Sequence, residues 1–381
     1  MNRLIAVRYR QIIGKACLPT VLLIEIDGKQ TELVLKTETD ELDWCHGRLP
    51  VGYRPVVSAQ NLCGVLPHHI VWKEVEREAD YLNRPLELVK KVGKHRFYAD
   101  QVPLAYTGLQ TGDQVLLVLG GAGDNLAAGI FRRLQISGGE LYRIPAFRLG
   151  LGKQKMVDPA ILLQVFKENP EKFYRVREGD LLMIKLRNAY YARQTALADR
   201  LACSARLSRS LTGQAVRNEL GPEFDGDIKA FVAREKAVNF RLNDFIKEEA
   251  DKEKVLAQVL EQLPVYRILF KPIVGMGPAI AAGLMTAIGD IRNFRRADNL
   301  VSFCGMAVNA DGEFPCHKKG IVANWQPEAR HALYLFGQSM NHFPNSFHGQ
   351  VLIAQKKKLH KKYKAKWGDG YKKKLYARSY S

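Results

Sequence analysis

The spacing of apolar positions changes twice along the chain, and each change marks a different kind of element. Over residues 1–36 the period is that of strands: residues 1–13 mix apolar and basic side chains, and residues 21–35 read as a hairpin. Its dipeptide Asp27-Gly28 favours a tight primed turn, and Thr31, Leu33 and Leu35 alternate with polar partners. Residues 36–112 are mixed, and the helical segment predicted there, 72–92, is interrupted by Pro85. QVLLVL at 114–119 is a short apolar run of the kind found in a buried strand; GGAGDN, a helix LAAGIFRRL and a strand at 140–144 follow. This β–turn–α–β order predicts a mixed sheet with flanking helices.

From Asp180 onward the pattern turns helical with heptad-like spacing, through Leu201 and Leu207, until the glycine-rich residues 212–227 interrupt it. A second long helix is predicted over 228–263, with Phe231, Val238, Leu242, Phe245, Val255, Val259 and Leu263 on its apolar side and Pro264 at its end. Two long helices around such a turn read as an antiparallel coiled coil, or as a plain helix pair in a globular core. Residues 327–342 are predicted as a further helix.

Residues 269–308 read LFKPIVGMGPAIAAGLMTAIGDIRNFRRADNLVSFCGMAV, the form of a helix-hairpin-helix. Gly275 and Gly277 are expected to take positive φ and let the backbone approach a ligand, while Pro278 fits the first turn of the next helix. Free N–H groups at that turn make a seat for a phosphate. Lys271 precedes the turn, and Arg292, Arg295 and Arg296 surround Phe294 after the helix. An αα-hairpin with a solvated basic rim carries the same pattern.

Charge favours the phosphate reading. The 381 residues carry a formal net charge of +19, beyond what solubility needs and suited to a polyanionic partner. Residues 355–381 hold eleven Lys or Arg against one acid, Asp369, and interleave Tyr363, Trp367, Tyr371, Tyr376 and Tyr380 with them. Rings among cations offer stacking platforms beside phosphate-neutralising charges. The expected nucleic-acid contacts there are Lys356, Lys357, Lys358, Lys361, Lys362, Lys364, Trp367, Lys372, Lys373 and Lys374, joined by Lys318 and Lys319 upstream.

No apolar run of membrane-spanning length occurs and residues 1–9 do not read as a signal peptide, so a cytoplasmic protein without a membrane partner is expected. The six cysteines form no CxxC pair and are expected to be reduced. Cys304, Cys316 and His317 lack a fourth zinc ligand at metal spacing, and neither a metal nor another cofactor is expected.

GMGPAIAAGLMTAIGD followed by FRRADNLVSFCGMAV resembles the C-terminal domain of the DEDD insertion-sequence transposases guided by a bridge RNA. Through them it resembles the Tas proteins of tandem interspaced guide RNA systems and the Nop domain of box C/D ribonucleoproteins. The resemblance extends from about residue 114 to the end of the chain, is most specific over 275–308, and does not cover 50–110. It implies an α+β chain in four parts. These are a degenerate RuvC/RNase H-like domain at 1–175 with a divergent insertion around 50–110, an antiparallel coiled coil at 176–264, a helix-hairpin-helix Nop/transposase-like domain at 265–354, and a basic aromatic tail at 355–381. The implied partners are a small guide RNA with box C/D-like elements, a double-stranded DNA target, and a second copy of the chain through the coiled coil.

The resembled nuclease holds two divalent cations with four carboxylates. Asp27 falls at the first position and Asp158 at the last, but the second acid falls at Gly120 or Leu119, and the third is Lys155, downstream of Lys153. A lysine there repels Mg²⁺. Asp27 and Asp158 serve equally as a turn residue and a helix N-cap. The family's second nucleophile, a serine in a Ser-Ser-Gly motif, is also missing, for the chain reads Asn309-Ala310-Asp311-Gly312-Glu313 there. The expectation is an RNA-guided binder without nuclease activity. The competing expectation is an active, divergent RNA-guided transposase or recombinase that uses Asp27, Asp124 and Asp158 with Mg²⁺.

Overall fold

A computed structural model of the chain describes residues 3–13, 16–76, 84–118, 123–145, 149, 157–217, 219, 226–309, 312–316, 325–368 and 372. They divide into two units, Met1–Arg177 and Glu178–Ser381. The whole is a mixed α+β architecture. No helix among the described residues is long and apolar enough to cross a membrane.

The first unit opens with strands β1 (Leu4–Arg8), β2 (Gln11–Ile13), β3 (Ala16–Leu18), β4 (Thr20–Ile26) and β5 (Lys29–Leu35), then helix α1 (Glu38–Cys45). Strands β6 (Leu49–Pro55), β7 (Val71–Glu74), β8 (Val89–Val92) and β9 (His95–Thr107) follow. The unit closes with β10 (Gln114–Val118), α2 (Gly123–Ser137), β11 (Glu140–Ile144), α3 (Pro159–Glu168) and β12 (Tyr174–Arg175).

Six strands form one mixed sheet in the order β12-β11-β10-β1-β4-β5. β1 pairs parallel with β10 and β10 parallel with β11, while β4 pairs antiparallel with β1 and β5 antiparallel with β4. Ile5, Ala6 and Val7 are all buried, as a strand covered on both faces requires. Ala6, Leu116 and Ile144 pack with Leu162 and Leu163 of α3 and with Phe173. α2 turns Ala127, Ile130, Phe131 and Leu134 inward and packs against β11 and α1. The hairpin predicted at Asp27-Gly28 is β4–β5, with Asp27 at φ 49° and Gly28 at φ 80°. A buried ion pair ties the start of β1 to the approach to β10: Arg3 Nε donates to Asp113 Oδ1 at 2.8 Å and Nη2 to Oδ2 at 2.6 Å.

β6, β7 and β8 all pair antiparallel with the 13-residue strand β9, making a second sheet inside the first unit. The helix predicted over 72–92 is therefore not formed where that segment is described. Valines at 71, 89 and 92 suit a pleated surface, and Lys90 Nζ stacks over the Trp72 ring at 4.0 Å across the sheet. β7 pairs with β9 across more than twenty residues and β8 across a two-residue turn at Gly93, pairings that a helical period does not register.

The second unit is helical: α4 (Glu178–Val216), α5 (Ile228–Val238), α6 (Phe240–Glu261), a π turn at Tyr266–Phe270, α7 (Pro278–Ile288), α8 (Ala297–Phe303), α9 (Pro327–His342) and α10 (Phe347–Trp367). The single helix predicted over 228–263 breaks at Asn239. Its φ and ψ of −72° and 111° leave the helical region, and its side chain accepts from Leu242 N at 2.9 Å, capping α6. α4 and α6 run antiparallel: Arg193 meets Glu249 and Glu253, Arg200 meets Glu249, and Leu186 and Tyr190 share a core with Leu256 and Leu260. α7 is apolar nearly all round, burying Ala281 through Thr286, so it forms the centre of this unit. Gly283 lets α4 and α9 close on it, since a Cβ there would stand 3.1 Å from Tyr190 Oη and 3.3 Å from Ala332 Cβ.

Candidate nucleic-acid interface

The glycine turn comes first, because α7 begins at it. Gly275 takes φ 87°, as expected, but Gly277 sits at φ −67°, where any residue fits. Their surroundings differ too. A Cβ on Gly275 would lie 2.6 Å from Ser339 Oγ and 2.8 Å from Met340 Cε, whereas one on Gly277 meets nothing within 4 Å. Ser339 Oγ also donates to Gly275 O at 2.9 Å. The close approach at Gly275 is thus to α9, and the face left open to a ligand is that of Gly277. Gly277 is the N-cap of α7 with Pro278 behind it, so the leading N–H groups lie outside the intrahelical ladder.

Lys271 is exposed and pairs with Glu261 at 2.7 Å. Arg292 forks onto Asp290, through Nε at 2.9 Å and Nη2 at 2.7 Å. Arg295 and Arg296 are exposed at the approach to α8, beside Phe294, whose ring meets Phe303 edge-on at 5.0 Å. The structure does not gather these residues into one patch. The turn and the arginines stand at opposite ends of the 11-residue helix α7, about 16 Å apart at 1.5 Å per residue.

α10 supplies the densest charge. Helix runs through residue 355, where the sequence suggested only the start of a basic tail. Ser346 caps it, accepting from Gly349 N at 3.1 Å. Leu352, Leu359 and Tyr363, spaced seven and four apart, form its buried stripe. Lys357, Lys361 and Lys364 are exposed and fall on the side opposite that stripe, with Lys358, Lys362 and Lys366 also exposed. Lys356 flanks the stripe and donates to Asn341 Oδ1 at 2.7 Å, next to the α9 segment that packs on Gly275. Lys372 is exposed. Lys318, Lys319, Lys373, Lys374 and the Trp367 side chain lie outside the described residues.

The first unit carries the acids considered for metal-dependent cleavage, and it separates two of them. Leu4 pairs with Glu25, so the Asp27 turn lies at the amino end of β1. Lys167, late in α3, reaches Glu25 at 2.5 Å, which puts the far end of α3, with its N-cap Asp158, toward the carboxyl end of β1. Nine helical residues are about 13 Å of rise. Asp27 is an exposed turn residue, and Asp158 accepts from Ala160 N at 2.9 Å. Asp124 is buried in the first turn of α2 beside Tyr9, whose phenol is pushed up first by burial and then by that carboxylate. At the carboxyl end of β1, Arg8 ends the strand and Arg10 follows in contact with Glu38 and Glu41. Lys153, Lys155, Leu119 and Gly120 lie outside the described residues.

Two groupings escaped sequence reading. Arg330 stacks near Trp325 and Phe314, at 5.4 and 5.2 Å, and donates to Pro315 O at 2.6 Å. Asp43, His68 and His69 converge in the first unit, and only the adjacent histidines hinted at it. Burial raises the Asp43 carboxyl, but hydrogen bonds from His69, His68 and Arg48 outweigh it and hold the group below its usual range. Cys304 instead sits with Met306 and Ala329 in an apolar cluster, and burial pushes its thiol up to about 11.

Residues 268–351, which hold the glycine turn, α7 to α9 and the start of α10, match the profile described as the Transposase IS116/IS110/IS902 family. The match supports a transposase-related, nucleic-acid-interacting function. No curated protein matches the chain.

Proposed function

We propose that this chain is an RNA-guided nucleic-acid-binding protein without nuclease activity. In this reading the second unit comprises an antiparallel coiled coil that pairs two copies of the chain, followed by a helix-hairpin-helix domain of the Nop/transposase-like kind over 265–354. It holds a small guide RNA by its backbone, and base pairing selects a double-stranded DNA target. The observation that carries the proposal is the lysine face of α10, opposite a buried stripe, on a helix whose first residues fall within the segment that matches the transposase profile and whose lysines follow it. The strand order of the first sheet, three antiparallel strands (β5, β4, β1) continued by two parallel ones (β10, β11) and closed by the short antiparallel β12, supports the RuvC/RNase H-like reading of that unit. The separation of Asp27 from Asp158 and the lack of serine at 309–313 support a binder over a nuclease.

Two measurements test this. RNA copurifying with the full chain is sequenced; a discrete small RNA is expected, and a preparation free of RNA would defeat the guided reading. That RNA–protein complex is then incubated with matching DNA and Mg²⁺. Intact DNA is expected, and cleavage abolished by Asp158→Ala or Asp124→Asn would establish the nuclease instead.

A further inference from the structure

The first unit holds a convergence of side chains that nucleic-acid binding does not use. Asp43, in the last turn of α1, is 2% exposed. Its Oδ1 accepts from Arg48 Nε at 2.8 Å, and its Oδ2 faces His68 Nε2 at 2.9 Å and His69 Nε2 at 2.7 Å. The three ligand atoms all lie within 4.8 Å of one another. Neighbouring residues in a chain normally point apart. Here the short 3-10 turn Pro67–His69 brings both imidazoles onto one oxygen, with their ring centroids 4.1 Å apart.

We infer that Asp43, His68 and His69 form a binding site for a divalent transition-metal ion of the zinc class. Tetrahedral Zn²⁺, at about 2.0–2.1 Å from nitrogen and oxygen ligands, sets its ligand atoms about 3.3 Å apart. Oδ2 stands 2.9 and 2.7 Å from the two imidazole nitrogens, so each pair opens by about half an ångström to admit the ion. Two imidazoles and one carboxylate select zinc, cobalt or nickel over magnesium, whose preference is for oxygen. The site is therefore distinct in chemistry from any Mg²⁺ nuclease centre. Arg48 supplies the outer hydrogen bond that fixes the carboxylate, leaving Oδ2 for the ion. His68 has a half-exposed side chain, which gives the ion an entry path and leaves a fourth position for water. The ion would fasten the inserted second sheet to α1, since the histidines precede β7 directly.

The test uses the full chain stripped with a chelator. Calorimetric titration with Zn²⁺ is expected to show one tight equivalent. Co²⁺ in its place is expected to give the visible absorption of a tetrahedral site. His68→Ala, at the accessible position, should weaken zinc at least ten-fold and abolish the cobalt band, and His69→Ala should remove both. Zinc should raise the melting temperature of the parent and leave that of the His68→Ala variant unmoved. Should His69→Ala fail to fold, the His68→Ala comparison decides alone. Absence of a cobalt band in the parent, or equal zinc affinity in parent and His68→Ala, would overturn the site and leave a hydrogen-bonded cluster. Neither result depends on nucleic acid, so the outcome is independent of the proposed function.

Discussion

Gly275 and Gly277 look interchangeable in the motif GMG, and the structure makes them opposites. Ala at 275 would carry the left-handed backbone at a cost of about 1–2 kcal/mol and would also press on Ser339 and Met340. Ala at 277 meets open space at an ordinary φ. Gly275→Ala should therefore lower the melting temperature by several degrees while Gly277→Ala leaves it in place, as thermal unfolding will report. A second prediction concerns Glu25. Its carboxyl is held below the usual range by Lys167 first and Gln30 second, against the opposing effect of burial. A lowered carboxylate pKa adds stability that is full above the unfolded value of about 4.3 and fades as pH falls through the folded value. The stability gap between the parent and Glu25→Gln should stay level from neutral pH down to about 5 and close below about 4, measured by urea unfolding across that range. Asp27 and Asp158 were legible as a turn residue and an N-cap, the work they are seen doing. The Asp43 cluster was not, because its carboxylate and its imidazoles are brought together only by tertiary structure.

Among the elements, α10 bears most directly on binding. If its ridge neutralises phosphates, replacing Lys357, Lys361 and Lys364 together by Ala should reduce the slope of log affinity against log salt by about 2, at roughly 0.7–0.9 for each phosphate left without its cation. Filter binding or fluorescence anisotropy at several salt concentrations measures it, and an unchanged slope would remove the ridge from the interface. Arg292 and Lys271, already paired with Asp290 and Glu261, should each have a smaller effect. The hairpin at residues 20–35, the strand Gln114–Val118, α7 and α9 could be read from sequence because each is encoded by its own turn chemistry or apolar period. The break at Asn239 could not, since the apolar spacing continues across it and only the side-chain cap interrupts the backbone. α10 was hidden for a similar reason: its buried stripe is just Leu352, Leu359 and Tyr363 amid lysines.

At the scale of the molecule, each unit has its own core and is expected to lose it separately. In the first, Arg3 and Asp113 are both buried, and Arg3 Nη2 also donates to Gly108 O at 2.7 Å. Breaking such a pair from one side leaves an uncompensated buried charge and costs about 3–5 kcal/mol. Asp113→Asn should shift the unfolding of residues Met1–Arg177 by that order and leave the affinity for nucleic acid intact, read by tryptophan fluorescence and by binding in parallel. A shift below about 1 kcal/mol would mean that water reaches the guanidinium. In the sheet at 49–107 only the helix predicted over 72–92 was misread; the rest gave no clear pattern, because its strands are organised by pairing with β9.

The buried stripe of α10 has a consequence for how its lysines behave toward a ligand. A disordered basic thread must surrender conformational freedom each time it lies down along a polyanion. Cations mounted on a packed rod have lost that freedom already, and Lys357 and Lys364 stand at a fixed separation of about 10 Å along the axis. Such an array favours a partner whose phosphates are themselves rigidly spaced, so a duplex segment should outcompete an unstructured strand of equal charge.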